Sequence, residues 1–224
     1  MLAPEIARAA SFELDPLRAA CDAVVRRLLA AELDWLLVLG AGPRAVRYPA
    51  TDHGSLAGYG VDLRARLGTG AAAGVPRLPL ALTLGGWLLA RAGGHRSVVG
   101  VQVGPDGELP GEIEAPTGRG GLLVMGDGSA RRGPHPPGWP DPRAEPHDAA
   151  VAAALAAGDP ARLAGLDPAL GAELMAAGVP AWRAAGRLLA GARVRAELLH
   201  HEAPYGVGYL VAGWNVIDGP GAGG

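Results

Sequence analysis

Lysine is absent from this chain of 224 residues, and cysteine and phenylalanine occur once each. All 20 basic residues are arginine, set against 22 acidic ones for a formal charge of −2, with both signs scattered. That distribution shows no nucleic-acid footprint. The single Cys21 excludes an intrachain disulfide and any multi-cysteine metal site. Aromatics are only 4%, so Leu, Val and Ala must fill a core around five Trp and four Tyr. Long apolar runs are missing too. The longest, Leu78 to Ala90, is broken by Pro79, Thr83 and Gly85-Gly86 and falls short of the ~20 residues of a bilayer span. The N-terminus carries Glu5 and Arg8 and no apolar signal stretch, so a cytoplasmic protein without membrane association is expected. The abundant residues, 36 Gly and 20 Pro with much Ala and Arg, read as the coding bias of a GC-rich bacterial genome.

The length suits one domain, and helical and strand patterns alternate along it. Asp15-Pro16 is a helix start, with Leu17, Cys21, Val24 and Leu28 as its apolar stripe and Arg18, Asp22 and Arg26 off it. Trp35 to Leu39 reads as a buried strand, followed by an extended piece through Val61 and Leu63. Leu80 to Ala92 reads as a helix closed by Gly93-Gly94, and Val98 to Val103 as a strand turning at Pro105-Asp106-Gly107. A Pro-rich loop runs from Gly133 to Pro146. Asp148, Asp159 and Asp167 then look like successive helix N-caps, and a fourth helix begins near Pro180. Arg193 to Glu202 and Val207 to Trp214 read as strands. The predicted fold is α/β: a single domain over residues 1–217 with a mixed central sheet flanked by helices on both faces, and a disordered tail over 218–224.

The segment from Gly121 to Arg132 carries the most information. Leu122-Leu123-Val124-Met125 reads as a strand buried on both faces, in the middle of a parallel or mixed sheet. It stops at Gly126-Asp127-Gly128-Ser129, where glycines permit positive φ and backbone N–H groups can turn toward a ligand. Ligands of open α/β folds bind beyond the carboxyl ends of strands, where this loop would lie. Asp127 could be a metal ligand, a base or an Asx-turn residue, and Arg131 and Arg132 could clamp a carboxylate bidentately. The plain alternative is a tight turn with solvated arginines.

Other candidates are weaker. Gly40-Ala41-Gly42 lacks the third glycine of a dinucleotide fingerprint and runs into Pro43. His53 beside Asp52 in a Gly-rich loop suits a metal ligand with a carboxylate orienting its ring, or an exposed loop histidine. Strand alternation puts His200 and Glu202 on the face of Val194, Ala196 and Leu198, a pair for a two-His-one-carboxylate iron site unless the strand simply emerges into solvent. His135 and His147 read as surface residues, His95 as a partner for a helix C-terminus, and Trp139 as a pin for the Pro-rich loop.

Three stretches carry a family resemblance: LLVMGDGSARR (122–132), DPRAEPHDAAVAAALAAGD (141–159) and APYGVGYLVAGW (203–214). Together they resemble the actinobacterial branch of the class III extradiol dioxygenase subunit-B-like proteins, from about Leu2 to Trp214. Enzymes of that wider superfamily hold a non-haem Fe(II) with two His and one Glu, and a further His acts as acid and base in ring opening. The resemblance therefore implies a catechol-cleaving oxygenase with iron held by some of His53, His200 and Glu202, the substrate being fixed by Asp127, Gly128, Ser129, Arg131 and Arg132. Several matches are absent. Met1-Leu2-Ala3-Pro4-Glu5 resembles the residues after the His-Pro strand that gives the first ligand, so that His is expected to lie upstream or to have been lost. Arg131 stands where the acid/base His would fall, and Tyr209-Leu210 where the late Glu would. The alternative implied is a non-catalytic relative that binds a small aromatic or anionic ligand, or a protein partner, through the same loop, with self-association left open. A hydrolase using Ser129 is a distant third.

Overall fold

The computed structural model describes residues 2–4, 13–111 and 117–218, and within them an α/β fold with a four-stranded mixed sheet. The chain divides into two compact units, residues 1–104 with 108–125 and residues 105–107 with 126–224.

In the first unit, α1 (Asp15–Leu29) starts with Pro16 in its first turn, as its sequence predicts. Of the expected stripe Leu17 is buried and Cys21, Val24 and Leu28 are half-buried, while Val25 and Arg18, neither of them on it, are buried as well. Arg18 turns inward because its Nε donates to the Leu2 carbonyl at 2.9 Å and its guanidinium meets Asp15. The sheet joins β1 (Trp35–Ala41), β2 (Val46–Pro49), β5 (Val98–Val103) and β6 (Gly120–Met125) in the order β2-β5-β1-β6. β1 runs parallel to both β5 and β6, and β2 lies antiparallel to β5.

β1, buried from Leu36 to Gly40, holds the inner position that its unbroken apolar run requires. β6 does not: it pairs with β1 alone among the described strands and is only half-buried, which corrects the expectation of a central strand at 121–125. A short hairpin of β3 (His53–Ser55) and β4 (Arg64–Arg66) occupies what the sequence suggests is loop. Over these lies α2 (Leu80–Arg91), apolar on nearly every side and packed on β1, β3, β4, β5 and β6. A Cβ on Gly85 would come within 2.7 Å of Val38, so glycine there lets helix and sheet close together.

The second unit holds α3 (Ala144–Ala157), α4 (Pro160–Ala164), α5 (Pro168–Glu173) and α6 (Val179–Leu188), with a hairpin of β7 (Arg193–Glu202) and β8 (Tyr209–Asp218). Asp159 and Asp167 are N-caps as predicted, accepting the amides of Arg162 at 3.0 Å and Ala169 at 2.9 Å. Asp148 is not: it lies inside α3, fully buried. Asp218, the first residue of the expected tail, ends β8 opposite Arg193, and residues 219–224 lie outside the described residues. α3 packs on the hairpin, with Trp214 Nε1 donating to the Leu155 carbonyl at 2.8 Å. No helix among the described residues is long and apolar enough to cross a membrane.

Candidate functional site

The 126–132 loop is held from within. Gly128, Ala130 and Arg132 donate their amides to the carbonyls of Gly208 (2.7 Å), Leu174 (3.1 Å) and Gly206 (3.1 Å). The Ser129 amide and hydroxyl both go to Asp148, each at 2.8 Å, and the Gly208 amide returns to the Ser129 carbonyl at 2.8 Å. These N–H groups therefore do not form the anion cradle that the sequence suggests. Neither Gly126 nor Gly128 takes a positive φ. They are glycine because of close approach: a Cβ on Gly126 would sit 2.3 Å from Gly178 Cα, and one on Gly128 2.9 Å from Asp148 Oδ1. Ser129 is fully buried with its hydroxyl on a carboxylate, which leaves a hydrolase no nucleophile there.

The two arginines differ sharply. Arg131 staples the Pro-rich loop, donating from Nε to the Trp139 carbonyl and from Nη1 to the Glu173 carbonyl, both at 2.8 Å. The Trp139 side chain itself stands out in solvent, so its carbonyl rather than its indole pins the loop. Arg132, with only 18% of its side chain exposed, makes one long side-chain hydrogen bond, 3.4 Å from Nη2 to Glu145. Its Nη1 is buried without a hydrogen-bond partner and lies 3.8 Å from Asp148 Oδ2, beyond bonding reach.

Asp127 is exposed, yet the surrounding protein displaces enough water to raise its carboxyl above the usual range. The Tyr209 phenol is raised as well, by burial first and then by Asp127 and Tyr205.

β7 supplies a group that alternation does not foresee. A register shift between Leu198 and His200 reverses the faces of the strand beyond it. His201, not His200, therefore reaches the side of α3. Burial lowers its imidazole, Arg132 lowers it further, and Asp148 opposes them. Its Nε2 is buried without a partner. His200 and Glu202 do share a face, 4.0 Å apart, but Glu202 is 62% exposed.

His147, read from sequence as a surface residue, is buried in α3 with Nε2 unpartnered, and burial lowers its imidazole. In the first unit His53 belongs to β3, not to an exposed loop, and is buried with Nε2 unpartnered. His95 rests on the Leu33 and Ser97 carbonyls, and His135 is exposed.

An unpartnered nitrogen on His53 would suit a metal. His53 belongs to one unit, while His200 and Glu202 belong to the other. Among the described residues no three His, Cys, Asp or Glu gather into a group that could hold a metal ion. The groups that do converge are Ser129, Arg132, Asp148 and His201, with Glu145 at the rim. Asp148 could have been found: with Val151, Ala152 and Leu155 it makes one helical stripe. No family model matches the chain, and no curated protein does.

Proposed function

We propose that this chain binds a small ligand carrying a carboxylate, aromatic acids included, with Arg132 as its anchor. The supporting observation is the Arg132 guanidinium, mostly buried, with Nη1 lacking an acceptor and Nη2 on one long bond. Leaving a buried charged donor unmade is costly, and a carboxylate matches the guanidinium fork with two parallel bonds. Asp148 balances the Arg132 charge from 3.8 Å but is too distant to accept a hydrogen bond from Nη1. Calorimetric titration with benzoate tests the reading, with catechol as the probe that lacks a carboxylate. Benzoate should bind saturably, catechol should not, and Arg132→Gln should weaken benzoate by about ten- to a hundredfold, the range of a charged hydrogen bond. A wild-type chain indifferent to benzoate, or a variant that binds it as well, would sink the reading.

Iron-dependent ring cleavage, which the resemblance implies, is not what these side chains support. Anaerobic loading with Fe(II) followed by desalting should leave well under one iron per chain. Retention of nearly one would reverse that conclusion.

A further inference from the structure

The one side-chain hydrogen bond that Arg132 makes is the contact an incoming carboxylate has to replace. Glu145 stands in the first turn of α3, its side chain is 78% exposed, and it reaches Nη2 only at 3.4 Å. A guanidinium–carboxylate bond of full strength is about 2.7–2.9 Å long, so Glu145 is loosely held. It also needs little from Arg132, since water solvates it and the amides of a helix N-terminus favour a carboxylate there.

We propose that Glu145 is an intramolecular stand-in for the ligand, a resident competitor that a small carboxylate displaces from Arg132. This rests on the reading of Arg132 as the anchor and names what the ligand exchanges with. In the exchange one carboxylate leaves Nη2 for water as another arrives. The newcomer also gains what Glu145 does not reach. A carboxylate tethered to the first turn of α3 touches Nη2 alone, whereas a free one can span Nη2 and Nη1.

Benzoate titration of the wild type, Glu145→Gln, Glu145→Asp and Arg132→Lys tests this. Glu145→Gln should bind roughly two- to fivefold tighter, the worth of an exposed ion pair. Glu145→Asp keeps the charge on the helix but shortens the tether, so it should match Glu145→Gln. Arg132→Lys keeps a cation but loses the fork, and guards against a neutral variant at 132 that fails to fold; it should bind more weakly than wild type. If Arg132→Lys weakens binding while Glu145→Gln leaves it unchanged or weaker, the stand-in is overturned and the anchor survives. Glu145→Asp behaving as wild type while Glu145→Gln tightens would mean that the field, not the contact, competes, and would also overturn it. Unchanged binding by Arg132→Lys, or none by wild type, removes anchor and stand-in together.

Discussion

The first unit closes over Leu36, Val38, Leu39, Leu82, Leu89 and Val101; its buried Thr83 and Gln102 hydrogen-bond to carbonyls and to Tyr48, and its buried Arg18 and His53 each keep one nitrogen unpartnered. The second closes over Val151, Leu163, Leu174, Val179 and Trp182, and over a charge as well. Asp148 is fully buried, Ser129 holds both its oxygens, and Arg132 and His201 stand beside it with nitrogens unmatched. An apolar interior tolerates the loss of a polar group well if shape is kept, because little depends on it. An interior organised around a carboxylate does not, since removing one member strands the others without water. The same contrast recurs between adjacent residues: Arg131 has a carbonyl for each nitrogen it uses and fixes a loop, while Arg132 keeps donors free.

The largest effect should come from breaking that contrast at its centre. Asp148→Ala strands the Ser129 amide and hydroxyl and an under-bonded guanidinium, and should cost about 3–5 kcal/mol. Thr83→Val in the first unit removes a buried hydroxyl that donates to the Pro79 and Leu78 carbonyls, and should cost about 1 kcal/mol. Urea unfolding of the two variants makes the comparison. Equal losses would mean that the carboxylate is no more central than a hydroxyl.

The two units were not equally legible. Most elements of the first follow from apolar runs: β1, β5 and α2 lie where Trp35–Leu39, Val98–Val103 and Leu80–Ala92 put them. What failed there was the β3–β4 hairpin, which looks like loop, and position in the sheet, because Leu122 to Met125 looks equally buried whether a strand has one partner or two. In the second unit the helices and strands were also found, though α3 already starts at Ala144 and β8 runs on to Asp218, but the candidate site was not. Asp148 follows Pro146 and precedes an Ala-rich run, so it looks like a cap by local chemistry, and only its stripe with Val151 and Leu155 betrays burial. His201 had no such signal. Which of two neighbouring histidines faces α3 depends on a bulge at Leu199, and a bulge is a property of the strand pair rather than of either strand. The loop at 126–132 was located correctly and its chemistry inverted, since nothing local shows that residues 206–208 take up its amides.

A smaller effect, in the same unit, comes from protons. His147 and His201 are both held below the ordinary imidazole range, in each case chiefly by burial. In the unfolded chain they titrate near ~6.5. Below that pH the unfolded state takes up protons that the folded state still refuses, so the unfolded state binds more and stability rises with pH. Their contribution is therefore complete above about pH 7, declines as pH falls through ~6.5, and is gone once the folded values are passed. Thermal melts between pH 7.5 and 5 should show a falling midpoint, by less than Asp148→Ala lowers it at neutral pH. Replacing both histidines by Gln should flatten that part of the curve, while His135→Gln, at an exposed position, should leave it sloping. A double variant with the wild-type slope would mean that the polar interior tolerates these protons, and that its intolerance is confined to the carboxylate.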